Sequence, residues 1–309
     1  MEEASKNYSN KKFNNKKKSS ILILGSSGFL GNNFLITALE NGYEVVDILR
    51  YDHKKNKKIL KIKKKYKNYK SFFYKEFKEL KKIKNKKFNF FINFATFYSE
   101  ENSDKNLIKF MNSNIIFPTI ILNNLNFKIK KIINLGSMQE FFNSNSYKPK
   151  NLYAASKKAY EQFLEFYKVK HKEVQFYNIK LYETFSKSDK RKKIFPTLLN
   201  CFFKKNKFYL KNKNLELNVV HADNVSEFLL KILKNKSNAN KNIVLKNYKN
   251  TNILKLLKNL NRKLTCKIKY EINNEIYSNQ IFNKYENLKI IKVKFNIEKD
   301  ILNILKSNK

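Results

Sequence analysis

The stretch Ile21-Leu22-Ile23-Leu24-Gly25-Ser26-Ser27-Gly28-Phe29-Leu30-Gly31 holds three of the five glycines in a chain of 309 residues, and the rest of the sequence reads outward from it. The apolar run is too short for a helix and reads as a buried strand, and the G-x-x-G-x-x-G after it reads as a tight turn into a helix that begins near Phe29. Glycine permits positive φ and a close approach of backbone N–H groups to a ligand, and the start of the new helix adds a positive dipole. The turn is therefore expected to hold the pyrophosphate of a dinucleotide through Gly25, Ser27, Gly28, Phe29, Leu30 and Gly31. Ser19 to Leu39 carries no charge and follows a lysine-rich start, as a signal peptide or membrane anchor would. Asn32, Asn33, serines and glycines interrupt that run and a second strand follows it, so membrane insertion is not expected.

Phe34, Leu35, Ala38 and Leu39 recur at helical spacing, and Gly42 suits a C-terminal cap. Glu44 to Arg50 is the second strand, whose tip meets the adenosine ribose in folds of this kind. An acidic residue there selects NAD and an arginine accommodates the 2′-phosphate of NADP. Counted from Gly42 the tip falls on Leu49 and Arg50, which favours NADP(H). NAD(H) stays open, because Arg50 also reads as a solvated loop charge and Asp47 reaches the tip if the strand end slips. Residues 54–87 are dominated by lysine around a weak third strand at Ser71 to Tyr74. Phe88 to Phe94 is a buried strand ending at Ala95 and Thr96, small residues past which a cofactor backbone can run. Asn106 to Leu125 reads as a helix containing Asn114, with a kink or break expected at Pro118.

Lys131 to Leu135 is a fifth strand delivering Ser137, and Tyr153-Ala154-Ala155-Ser156-Lys157 opens a helix running to about Tyr167. The spacing Y-x-x-x-K is uninformative alone, since it occurs seven times, starting at Tyr8, Tyr51, Tyr66, Tyr74, Tyr153, Tyr209 and Tyr285. The match at Tyr153 differs because it follows a buried strand that delivers a serine, in a chain whose first strand carries the nucleotide turn. Residues four apart share a helix face, so the Lys157 ammonium is expected beside the Tyr153 phenol, lowering its pKa toward working pH. Tyr153 then serves as general acid or base, and Ser137 holds the same substrate oxygen.

The formal charge of +41 would ordinarily suggest nucleic acid. Lysine is spread along the whole chain, Lys, Asn, Ile, Phe and Tyr are abundant together as in AT-rich coding, and there are three arginines for bidentate recognition, so no specific nucleic-acid partner is expected. Cys201 and Cys266 form no spaced pair, and His53, His171 and His221 have no ligand neighbours in register, so neither a metal site nor a disulfide is expected. Without a signal sequence, the expected location is the cytoplasm. The organisation expected is α/β: a basic disordered tail over 1–19, a Rossmann-type doubly wound parallel sheet over 20–182 to which 217–247 returns, and mainly a smaller substrate-binding lobe over 183–309. Leu217 to Val220 reads as a strand returning to the nucleotide domain, with a helix at Asp223 to Leu233 after it, and further helices at Ile253 to Leu260 and Ile297 to Leu305 are expected in the smaller lobe. His221 is expected to position the loop between the first two.

Together these residues resemble the extended short-chain dehydrogenase/reductase family of NAD(P)-dependent nucleotide-sugar epimerases, dehydratases and reductases. The resemblance covers Ile21 to about Leu233 through G-S-S-G-F-L-G at 25–31, I-N-F-A-T at 92–96, N-I-I-F-P-T at 114–119, N-L-G-S at 134–137 and N-L-Y-A-A-S-K at 151–157. The segments 181–196 and 217–225 fit as well. It is most similar to the branch of sugar-nucleotide 4-ketoreductases that includes CDP-abequose synthase. The resemblance implies Ser137, Tyr153 and Lys157 as catalytic residues with Asn114 in support, and a nucleotide-diphosphate sugar as substrate. It places Glu183, Asp189, Arg191 and Lys193 on the substrate side and implies surface polysaccharide synthesis. It also implies a homodimer through the helices at 106–125 and 152–167, with Phe163, Phe166 and Tyr167 as contacts; burial within the chain explains those three equally well. Met138 and Gln139 stand where the family's 4,6-dehydratases carry Asp-Glu, which argues against dehydration. NADP then favours reduction of a 4-keto sugar. A UDP-sugar 4-epimerase using NAD and a non-catalytic nucleotide- or RNA-binding protein remain the alternatives.

Overall fold

The computed structural model describes residues 19–235, 241–273, 275 and 281–307. The tail expected over 1–19 lies outside them except for Ser19. The first half comprises β1 (Ser20–Leu24), α1 (Phe29–Glu40), β2 (Glu44–Arg50), α2 (Lys57–Lys65), β3 (Tyr69–Tyr74) and β4 (Phe90–Asn93). A helical stretch follows as α3 (Asp104–Phe110), a π-helical segment (Met111–Ile116) and α4 (Phe117–Asn123), then β5 (Lys131–Ser137), α5 (Leu152–Lys170) and β6 (Gln175–Leu181). The remainder is β7 (Glu183–Phe185), α6 (Ile194–Phe203), β8 (Phe208–Leu210), β9 (Glu216–His221), α7 (Ala222–Lys234), β10 (Lys241–Asn247), β11 (Asn250–Asn252), α8 (Ile253–Lys263), β12 (Tyr270–Ile272), β13 (Lys289–Val293) and α9 (Ile297–Ser307).

Eight strands form one parallel sheet in the order β13-β10-β6-β5-β4-β1-β2-β3. Alternation along β1 feeds both of its faces. Ile21 and Ile23 pack with Val45, Phe34 and Leu35 on one side, and Leu22 and Leu24 pack with Phe91, Ile121 and Tyr160 on the other. Burial on both faces is why these strands read as unbroken apolar runs. From central β1 the chain builds outward to β3 and then crosses back to lay β4 on the other side of β1. The carboxyl ends of β1 and β4 therefore flank the switch point where such sheets bind ligands.

The strand expected at 217–220 forms as β9 but does not join the large sheet. It pairs in parallel with β7 and antiparallel with β11 in a three-stranded sheet. The outer edge of β6 is instead taken by β10, with Ile243 opposite Ile179, and β13 covers β10 in turn. Helix α7 does pack on the large sheet: Val225 and Leu229 share the core of α1, and Asn33 Nδ2 donates to Asp223 at 2.8 Å. A separate core gathers Phe185, Phe195, Leu217, Val219, Leu257 and Ile301 from β7, α6, β9, α8 and α9. Proline at 118 does not break its helix. Met111–Ile116 widen into the π-helical segment, and Pro118 falls in the first turn of α4, where its missing N–H is tolerated.

Candidate active site

Gly25 sits at φ +78°, and a Cβ there would lie 2.5 Å from both the backbone nitrogen of Ala95 and the carbonyl carbon of Phe94. A Cβ on Gly31 would lie 2.2 Å from the Gly25 carbonyl oxygen. The turn is thus packed down on the end of β4 and on the first turn of α1, leaving no space for side chains. Gly28 differs, since a Cβ there would meet only the Gly25 oxygen, at 3.2 Å, and nothing covers it from outside. With glycine at the N-cap, no side chain occupies the first N–H groups of α1. A dinucleotide pyrophosphate fits this surface, with Ser27, Gly28, Phe29 and Leu30 lying along the turn.

Beneath it, fully buried Ser26 donates its hydroxyl to the Asp47 carboxylate, which also accepts from the Tyr69 hydroxyl at 2.8 Å. Burial pushes Asp47 up to about 7, against the two hydrogen bonds that favour its charged form. Asp47 pairs in register with Ile23, well inside the sheet, so it braces the turn from below and does not reach the strand tip. Arg50 occupies that tip, exposed and 3.3 Å from Asp52.

Ser137 ends β5, and its hydroxyl and that of Thr96 stand beside the Tyr153 phenol, where both favour its ionised form. The first turn of α5 forms where Asn151 caps it, its side chain accepting from Ala154 N–H at 3.0 Å. Lys157 follows one turn on and is 2% exposed. Buried Asn114, in the π-helical segment, accepts from Phe97 N–H at 2.6 Å and donates to Ser156 Oγ at 2.8 Å. It thereby ties the loop after Thr96 to the helix carrying Tyr153 and Lys157. The expected lowering of the Tyr153 pKa does not occur. Burial pushes it up to about 12, while the Ser137 hydroxyl, the Lys193 ammonium and the Thr96 hydroxyl pull the other way. The same burial brings Lys157 down to about 8, opposed by Glu140 and Glu161.

Tyr98 was not anticipated; its ring lies edge-on to Tyr153 with centroids 4.9 Å apart. Over that ring, at 4.3 Å, sits the Lys193 ammonium, which is paired with Glu183 at 3.3 Å. Arg191 makes a bidentate pair with buried Asp189 at 2.8 and 2.9 Å, donates to the Thr184 carbonyl, and lies 4.3 Å over the Phe29 ring of the glycine turn. The segment after β7 therefore reaches both Tyr153 and the nucleotide turn. His221 does what its position suggested, capping α7 by accepting from Asp223 N–H at 3.2 Å. Tyr167 is buried against Phe127 and His171, whereas Phe163 and Phe166 are exposed.

A doubly wound sheet with a glycine turn at its switch point, and a Ser-Tyr-Lys set at the carboxyl end of the neighbouring strands, defines a dinucleotide-dependent enzyme of the extended short-chain dehydrogenase/reductase type. The NAD dependent epimerase/dehydratase family model matches residues 21–245, and the chain belongs to that family. Comparison with curated proteins finds no match. Among solved structures, UDP-glucuronic acid 4-epimerase from Bacillus cereus, in complex with UDP-glucuronic acid and NAD, superposes with a TM-score of 0.75 at 12% identity, over 94% of this chain and 100% of that one. UDP-glucose-4-epimerase from Stenotrophomonas maltophila, with bound NAD and formylated UDP-arabinopyranose, gives 0.75 at 11% identity, covering 94% and 98%. UDP-glucose 4-epimerase from Thermotoga maritima, with UDP-glucose, gives 0.68 at 15% identity, covering 93% and 97%. Identities this low establish a shared fold. Among the described residues no helix is long and apolar enough to cross a membrane.

Proposed function

We propose that the protein interconverts a carbonyl and an alcohol at C4 of a nucleotide-diphosphate sugar, with net reduction of a 4-keto sugar by NADPH as the leading reading. The observation that carries the chemistry is the placing of Ser137 at the carboxyl end of β5, next to the Tyr153 phenol, with Tyr153 and buried Lys157 one turn apart at the start of α5. When bound, the nicotinamide supplies or accepts the hydride. Ser137 holds the substrate oxygen, Tyr153 delivers the proton as that oxygen gains charge, and Lys157 binds the nicotinamide ribose while stabilising the phenolate left behind. A phenol near 12 is well suited to giving a proton to a developing alkoxide, since it stays protonated across the working range.

Arg50 supports NADP, because it offers the 2′-phosphate an exposed guanidinium whose partner Asp52 is equally exposed and displaceable at little cost. Arg191 would turn from Asp189 toward the nucleotide diphosphate, and Lys193 and Glu183 would face the sugar. The exposed rings of Phe163 and Phe166 beside Thr119 and Ile120 support a homodimer through α4 and α5.

Epimerisation with tightly held NAD is the second reading, favoured by the fold matches to 4-epimerases that bind NAD and UDP-sugars. Purified protein separates the two. The reductase should arrive empty, show a larger thermal shift with NADPH than NADH, and consume NADPH with a 4-keto nucleotide sugar. An epimerase should arrive with NAD and equilibrate C4 epimers without net consumption. Tyr153→Phe should keep the thermal shift and lose turnover by at least ~100-fold; full turnover in that variant would refute both readings.

A further inference from the structure

Beneath the candidate site lies a buried ionic cluster that the chemistry above does not use. Glu140, fully buried three residues after Ser137, accepts from the Ser137 backbone N–H at 3.0 Å through one carboxylate oxygen and takes the Lys180 ammonium at 2.6 Å on the other. Lys180, on β6, is also bonded to Glu161, which stands one turn beyond Lys157 on α5 and pairs with Lys158 at 3.1 Å on its other oxygen. Through Lys180 on β6 the cluster thus joins the end of β5, which carries Ser137, to α5, which carries Tyr153 and Lys157. Gly136 makes room for it: a Cβ there would press on the Glu140 oxygen and on Lys180 Cγ, each at 3.2 Å. Two carboxylates surround the one fully buried ammonium, Lys180, and the balancing charge, Lys158, stands at the part-exposed rim, so the excess negative charge lies in the interior.

We propose that Glu140 is a positioning residue of this site: it fixes the Ser137 backbone and, with Lys180 and Glu161, forms the buried acidic cluster whose charge, once Glu140 is ionised, holds Lys157 as an ammonium. A lysine with only 2% exposure otherwise loses its proton readily. The titratable groups facing Glu140 are Lys180 from β6, Glu161, Lys157 and Tyr153 from α5, and Tyr147 from the loop before α5. Of these, Lys180 is bound to both carboxylates, so the excess negative charge falls on Lys157 and on the two phenols. The inference rests on reading Lys157 as a working cation of the site, and its test is independent of turnover.

Protein labelled with 13C at lysine Cε, in which Lys157→Met identifies the resonance, reports the Lys157 midpoint directly. Glu140→Gln keeps an acceptor for the Ser137 N–H and removes the charge. It should lower that midpoint by about half a pH unit or more, whereas Glu140→Asp, which retains the charge, should stay near wild type. Should Glu140→Gln fail to fold, Glu161→Gln removes the other carboxylate and carries the same expected drop. An unchanged midpoint in a folded neutral variant overturns the proposal. A Lys157 that responds as expected in a protein inactive on every keto sugar would instead count against the assigned reaction.

Discussion

Asp47 shows how far a side chain's role depends on neighbours remote in sequence. Strand alternation places it inside, but its partners, Ser26 and Tyr69, come from the nucleotide turn and the next strand, so an acid two residues short of a strand tip gave no sign of bracing that turn. Its folded pKa of about 7 lies above that of an ordinary aspartate. The associated stability is fully present below about pH 4 and is lost as pH rises through 7, at up to about 1.4 kcal/mol per pH unit for one such group. Melting temperature should therefore fall between pH 5 and 8, and Asp47→Asn should flatten that slope; equal slopes in the two proteins would dismiss the account. Glu140, also raised to about 7, should leave a residual dependence in the variant. No sequence pattern marks Glu140, since a substrate-facing acid would stand at the positions that Met138 and Gln139 occupy. The inward-facing one comes at the next position.

At the scale of elements, the glycine turn was readable because three scarce residues cluster there, two of them, Gly25 and Gly31, where only glycine fits. Gly31 tests this most sharply, its missing Cβ lying 2.2 Å from a backbone oxygen. Gly31→Ala should cost ~1–3 kcal/mol through forced backbone movement and should abolish the thermal shift given by NADPH or NADH. Gly28→Ala, whose Cβ would meet only the Gly25 oxygen, at 3.2 Å, on a backbone at φ −79°, should cost less than Gly31→Ala and fold. A Gly31→Ala protein that melts and binds like wild type would show the turn to be looser than described. The helix around Asn114 was harder to read. Proline signals interruption, but residue patterns do not distinguish a break from a π-helical turn, and the latter keeps Asn114 facing Phe97 and Ser156. Strand β9 misled for a related reason: its apolar alternation suits any sheet, and competition for the edge of β6 was decided by β10.

For the whole molecule, the assembly proposed through α4 and α5 predicts that Phe166→Glu, at a position 59% exposed in the single chain, converts a dimer to a monomer by light scattering without lowering helix content. A wild-type protein that already scatters as a monomer would remove that proposal. Tyr167, named beside it from sequence, is better explained by its stack on Phe127 at 5.6 Å, a partner that amphipathic spacing alone cannot reveal. The order of the large sheet carries a further consequence for how the chain is made. Its outer strands, β10 and β13, come from residues 241–247 and 289–293, so β6 presents an unpaired, apolar edge until β10 has been synthesised, and β10 presents one until β13 follows. A nascent chain emerging from the ribosome therefore carries an exposed template for strand pairing through much of translation. The nucleotide-binding part is accordingly a poor candidate for independent expression, and a fragment ending near residue 235 should aggregate even though it contains every residue of the candidate site.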